Sequence, residues 1–291
     1  MVSRVRIAAW LLAVPTLVFF LVLVVYPMAS LYVVSLFKWE ILLPIRRFIG
    51  IDNYVALFGD ARFLYSLRFT TTLVAVAMLL ELLVGLILAQ ILNSVSFRGK
   101  GLVVAAIFLP MTISPTVVGY TWRMIFNPMY GFVNSMLSAF FLYPIDIEWF
   151  SDPFWSLLMI VSADFWQWMP FIFIAAYAGL SSLPTEPYEA AVIDGASSLQ
   201  IFARVQLPQL KGVIIATVLL RAMDAFKVFD YILLTTAGGP GYATESLSYF
   251  IYRTVFKITN LGYSSAASVV YLWVATLFII LFYRVMRERM A

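Results

Sequence analysis

The chain contains neither cysteine nor histidine among its 291 residues. Without cysteine there is no disulfide framework and no thiol chemistry. Without histidine, most transition-metal sites and imidazole acid–base catalysis are excluded. Charge is scarce too: Asp, Glu, Lys and Arg make up 12% of the chain, against roughly 25% in a soluble globular domain. No G-x-x-x-x-G-K-[ST] phosphate loop occurs, and Phe97-Arg98-Gly99-Lys100-Gly101 is only a basic turn. The chain is thus expected to carry no nucleotide site or other cofactor of its own. A formal net charge of +4 gives no reason to expect a nucleic-acid partner.

What the chain does have is apolar sequence, with 63% hydrophobic residues and a mean hydropathy of +0.96. That composition indicates a polytopic protein whose solvent is a lipid membrane. About 20 apolar residues are needed to cross the hydrocarbon core. Six segments qualify: residues 7–37, 69–94, 101–126, 155–180, 210–236 and 265–286. The first is too long for a signal-peptide core of about 7–15 residues, so it reads as a retained span. Pro15, Pro27, Pro110 and Pro115 lie inside spans, which favours a packed bundle over isolated anchors. The expected fold is all-α with six transmembrane helices. Residues 1–68 would supply one helix and an outer loop, and residues 69–291 a five-helix core.

Basic residues in short loops set orientation. Arg4, Arg6, Arg98, Lys100, Arg204, Lys211, Arg284, Arg287 and Arg289 all fall on the cytoplasmic side if both termini are inside. The 127–154 loop has no Lys or Arg but holds Asp146, Glu148 and Asp152, so it belongs outside. The 38–68 loop, with Lys38, Arg46, Arg47, Arg62 and Arg68, argues the other way. The short loops and the tail outweigh it.

One cytoplasmic stretch, EAAVIDGASSLQIFARVQLP, residues 189–208, breaks the apolar pattern. Thr185 is placed to cap a short helix from Glu186, with Pro187 in its first turn. Gly195 then permits a sharp turn. Ser197 and Gln200 form an S-x-x-Q capping box for a second helix, with Ile201, Phe202 and Val205 on its apolar face. Leu207-Pro208 leads into the fifth span. Such a segment could lie on lipid, but Ala190 and Ala191 offer little to insert. Small residues beside a glycine suit the close approach of another protein.

The spacing of Glu189-Ala190-Ala191, Gly195, Val205 and Leu207-Pro208 resembles the EAA signature of permease subunits of ABC importers. The downstream TTAGGPGYATESLSYFIYRTVF and the upstream FLPMTISPTVVGYTWRMIFNPMYGFVN are similar to the carbohydrate branch, the relatives of maltose, glycerol-phosphate and multiple-sugar importers. The resemblance implies a type I permease fold in a bacterial or archaeal cytoplasmic membrane. It implies three kinds of partner: a second permease subunit forming a heterodimer, a dimer of ATPase subunits that binds the ATP and Mg, and an extracytoplasmic substrate-binding protein. It also makes residues 184–208 the coupling loop that docks on the ATPase, through Glu189, Ala190, Ala191, Asp194, Gly195, Ala196, Phe202 and Pro208. Glu189 would meet a basic residue of the ATPase there.

Two polar stripes cross the spans. On the fourth, Asp164, Gln167, Trp168 and Phe171 share a helical face. A carboxylate, an amide and rings suit a sugar's hydroxyls and C–H face; helix packing around one buried acid is the competing reading. On the fifth, Arg221, Asp224, Lys227 and Asp230 recur every three residues with alternating sign, so neighbours can pair. A self-neutralised ladder against a partner subunit accounts for this row. Alternatively, its inner part, Arg221, Asp224, Ala225 and Val228, lines a substrate cavity. Alignment with the maltose member supports cavity positions on both spans. Glu81, midway along the second span, needs a partner, with Arg221 or Lys227 as candidates. By resemblance, the outer loop around Phe132 to Leu142 and Glu148-Trp149-Phe150 would touch the binding protein; a cap over the bundle is the alternative. The expected function is alternating-access import of a carbohydrate, with no bond chemistry on this chain. An ion-driven transporter using Asp164 and Asp224, or a scaffold that docks an ATPase without moving solute, would be the rivals.

Overall fold

Prolines decide how the apolar runs fold. The computed structural model describes residues 13–43 and 46–289. Arg4, Arg6 and the start of the expected first span lie outside the described residues, as do the side chains of Arg287 and Arg289. The first described helix, α1 (Ala13–Ser35), is long and apolar enough to cross a membrane, and its apolar window is wholly unburied. Pro27 cannot donate to the carbonyl four residues back, and the turn ahead of it, Leu21–Val25, widens to π geometry.

The chain divides into two compact units. One comprises residues 1–64 with 250–274, the other residues 65–249 with 275–291. The first thus takes in more than the N-terminal segment set apart by the spans. It holds a short antiparallel hairpin, β1 (Phe37–Trp39) and β2 (Arg46–Phe48), a small exception to the helical fold. The Arg46 guanidinium lies 3.5 Å from the centre of the Trp39 ring. Helix α2 (Asp52–Gly59) is fastened by the Asn53 amide, which donates to the carbonyls of Ser35 and Phe37 at 2.7 and 3.0 Å. The next helix, α3 (Ala61–Ser94), begins eight residues before the expected second span. Asp60 explains the early start, because its carboxylate accepts the amides of Arg62 and Phe63 and caps the helix.

The second unit contains most of α3 and the elements that position the site. Helix α4 (Lys100–Thr112) meets α5 (Pro115–Ile125) at 92°, so the expected third span is a bent pair. Pro115 at the first turn of α5 forces the break. Helix α6 (Phe132–Phe141) follows on the acidic loop, where the Trp149 indole donates to Asn134 Oδ1 at 2.7 Å. Asp152 caps α7 (Pro153–Ser181), which runs unbroken through Pro170. Helices α8 (Glu186–Ile193) and α9 (Ser198–Gln209) make up the amphipathic stretch. A 72° bend at Leu210 then starts α10 (Lys211–Ala225), followed by the short α11 (Asp230–Leu234). Helices α12 (Leu247–Phe256) and α13 (Leu261–Arg289) complete the chain.

Among the described residues four helices are long and apolar enough to cross a membrane, and each bent pair taken as one span brings the number to six. Glycines set the closest approaches. A Cβ at Gly85 of α3 would lie 3.0 Å from Ile172 of α7, and one at Gly179 would lie 2.7 Å from Leu210 Cδ2. The expected fifth span, 210–236, is therefore not one helix. It stops at Ala225 and resumes at Asp230. The Ser246 hydroxyl donates to the Val228 carbonyl at 2.9 Å, satisfying a backbone group freed by the break.

Candidate functional site: a coupling element and a membrane cavity

The amphipathic stretch folds as two short helices around one glycine. Helix α8 starts at Glu186 as expected, but the Thr185 side chain does not cap it; its carbonyl accepts the Glu189 amide instead. Gly195 adopts φ +77°, which an L side chain enters only with strain. The Ala196 amide reaches back to Ala191 O and the Gly195 amide to Val192 O, both at 3.0 Å. Those two bonds form a Schellman closure beyond Asp194, and only the left-handed residue at 195 makes it possible. The capping box is complete: Gln200 Oε1 accepts the Ser197 amide at 2.8 Å, and Ser197 Oγ accepts the Gln200 amide at 3.4 Å. Helix α9 runs through Pro208 to Gln209 after widening to a π turn over Phe202–Gln206.

Almost nothing covers this element. Helix α8 buries no residue. Glu189, Ala190, Asp194, Gly195 and Pro208 are exposed, while Ala191, Ala196 and Phe202 are half-buried. Ile193 and Leu199 are 85% and 76% exposed, although both are apolar. Ile201 alone of its expected apolar face is fully buried; Phe202 and Val205 are half-buried.

The second feature lies at membrane depth, where an ionisable side chain costs a few kcal/mol by insertion scales unless partnered. Glu81 of α3, Asp164 of α7 and Arg221 of α10 are 0%, 3% and 2% exposed. Arg221 Nε and Nη2 donate to Glu81 Oε2 and Oε1, each at 2.8 Å, in a two-pronged pair. Nη2 also donates to Asp164 Oδ2. Glu81 is therefore partnered by Arg221, one of its two expected candidates. The expected pairing of Arg221 with Asp224 is replaced, because α10 turns Arg221 towards α3 and α7. Asp224 instead faces Lys227 at 3.6 Å. The ladder keeps one rung, Asp224 with Lys227, but the helix ends at Ala225 and Asp230 meets Thr116 Oγ1 instead.

Above this cluster opens a cavity of about 190 Å³. It is lined by Asp164, Trp168, Arg221, Asp224, Ala225, Lys227, Val228 and Asp230, with Pro115, Phe229 and Tyr231. Six of the eight residues expected at a substrate site meet here. Gln167 and Phe171 stand apart from the lining. Gln167 donates to the carbonyl of Ile113 in the break of the third span, and Tyr231 donates to Gln167 Oε1. Gln167 thus clamps both broken spans, which a sugar-binding reading of the stripe missed. Tyr231 and Ile113 were not legible as partners because each sits in an apolar run whose break the sequence pattern conceals. Pro115 was the available signal: a proline inside a span frees carbonyls that some side chain must satisfy.

Comparison with known proteins fits this geometry. The family model described as a binding-protein-dependent transport system inner membrane component matches residues 81–291. The chain is 34% identical to the trehalose/maltose transport system permease protein MalF of Thermococcus litoralis, over 96% of this chain and 94% of that one. It is 32% identical to the lactose transport system permease protein LacF of Rhizobium radiobacter, over 96% and 94%. Among solved structures, a chain of a bacterial alginate ABC transporter, in complex with an alginate pentasaccharide-bound periplasmic protein, superposes with a TM-score of 0.85. That match has 26% identity and covers 98% of this chain and 96% of that one. The match through the ionic cluster, the coupling element and the cavity assigns the chain: it belongs to the inner membrane components of binding-protein-dependent transport systems.

Proposed function

We propose that this chain is a permease subunit that moves a carbohydrate inward across the cytoplasmic membrane by alternating access, driven by ATP hydrolysis on a separate subunit. The observation that carries the reading is the continuity of α9 and α10. The uncovered coupling element joins, through a single bend at Leu210, the helix that ends at the cavity wall. Movement imposed on Glu189 to Gly195 therefore reaches Arg221, Asp224 and Ala225 without leaving the chain. ATP and Mg would sit on the ATPase dimer, with this chain supplying no bond chemistry. Both termini and the coupling element would face the cytoplasm, and the acidic loop carrying α6 would face the binding protein.

A second permease completes the pathway in this reading. The cavity, at about 190 Å³, is smaller than the roughly 300–1,000 Å³ of usual small-molecule sites. It has the dimensions of one wall of a site shared with a heterodimer partner. Reconstitution of the four components in vesicles tests the proposal. Loaded binding protein is expected to raise both ATP hydrolysis and sugar uptake, with vanadate abolishing both. Hydrolysis that responds to the ATPase contact but never accompanies uptake would leave a scaffold instead.

A further inference from the structure

The charges around the cavity say which sugars the wall accepts. A basic residue in a sugar pathway would ordinarily suit a carboxylate, phosphate or sulfonate on the substrate. Arg221 is not available for that purpose. Its Nε and Nη2 are taken by Glu81 and Asp164, and its side chain is 1% exposed. The Trp168 ring, also in the lining, has its centre 5.2 Å from the guanidinium carbon. The other cation in the lining, Lys227, is 69% exposed and shared with Asp224. Asp230 meets Thr116 Oγ1 at 3.4 Å and, among the described residues, no cation. The lining thus carries three carboxylates, Asp164, Asp224 and Asp230, against two cations, Arg221 and Lys227.

Resting on the carbohydrate reading above, we infer that this wall selects uncharged sugars, and that Glu81 enforces the choice by occupying the Arg221 guanidinium from outside the cavity. Asp224 and Asp230 accept hydroxyl protons in charge-assisted bonds, and Trp168 offers a flat apolar face to the C–H side of a ring. A uronate or sugar phosphate would instead bring a second negative charge to a negative wall in partly desolvated surroundings. The likeness to the alginate importer, which takes an acidic polysaccharide, is therefore a likeness of fold that does not extend to charge preference. Glu81 lines no part of the cavity, so it acts as a positioning residue for specificity.

Binding should be measured on the intact permease–ATPase complex in nanodiscs without binding protein, so that the latter's selectivity does not enter. Saturation-transfer NMR would compare maltotriose, an oligouronate of the same length and an oligoglucosamine. The expected result is binding of maltotriose with the oligouronate weaker by more than about tenfold. The Glu81→Gln complex, which frees one prong of Arg221, should narrow that gap. The Asp230→Asn complex, changed at a half-exposed position, should narrow it independently of any folding defect. Preferential binding of oligouronate or oligoglucosamine to the unaltered complex overturns the inference and leaves the carbohydrate reading standing. An equal loss of all sugars in Glu81→Gln, with no change of ratio in Asp230→Asn, overturns the role given to charge. Failure of every sugar class to bind overturns the carbohydrate reading and the inference with it.

Discussion

The ionic cluster and the coupling element are built on opposite principles within one unit. Glu81, Asp164 and Arg221 satisfy one another across three helices at less than 4% exposure. Helices α8 and α9 keep their backbone closed with a capping box and a Schellman turn, yet leave Ile193 and Leu199 uncovered. The first arrangement is complete within the chain and needs nothing from outside. The second is locally rigid and leaves apolar side chains uncovered, which under the proposed function is where another subunit would dock. The difference teaches where damage should appear: in the cluster as unfolding, in the coupling element as lost transmission.

That contrast is broken most severely at Arg221. Arg221→Met leaves Glu81 and Asp164 buried without their cation and is expected to cost about 3–5 kcal/mol. Thermal unfolding of the detergent-solubilised complex should show it as a large drop in Tm, with expression falling in parallel. Gln167→Leu orphans the Ile113 carbonyl and the Tyr231 hydroxyl, a loss of about 1–3 kcal/mol. Its Tm should fall less, and protease sensitivity should rise around residues 113 and 226–229.

Changes in the coupling element sharpen the same contrast from the other side. Gly195→Val forces a branched side chain into φ +77° at a cost of about 1–2 kcal/mol, in a place where no neighbouring atom crowds it. The unfolding temperature of the permease should hold, while co-purification of the ATPase and sugar-stimulated hydrolysis fall together. A matched fall in Tm would show that the element belongs to the fold after all. Ser197→Ala removes one half of the capping box, about 1 kcal/mol. Faster amide exchange at Gln200, with a modest loss of coupled transport, is the expected result.

Much of this was legible in the sequence. Apolar runs of sufficient length announced the spans, and the Glu189 to Pro208 stretch announced two short helices about Gly195, because a glycine turn and a capping box are local devices. Helix starts were less legible where a single side chain decides them. Asp60 extends α3 back to Ala61, while Thr185 contributes a carbonyl where a hydroxyl was expected. Charge pairing was the least legible. Three-residue spacing pointed Arg221 at Asp224, but its partners are 140 and 57 residues away in sequence. Periodicity along one helix does not reveal which neighbour that helix faces. Nor did it reveal that the fifth span stops at Ala225, since Phe226 to Phe229 is as apolar, apart from Lys227, as a helix interior.

The bend at Leu210 has a mechanical corollary. Helix α10 has 15 residues, so at 1.5 Å per residue it is an arm of about 22 Å. Rotation of this arm about its bent end by only about 10° would carry Ala225 through about 4 Å. A displacement of that size is far more than a hydrogen bond tolerates, so a hydroxyl held by Asp224 would be released by such a swing. Affinity in the cavity is then set by the angle of the arm, with the long Arg221 side chain readjusting to keep its bonds to Glu81 and Asp164.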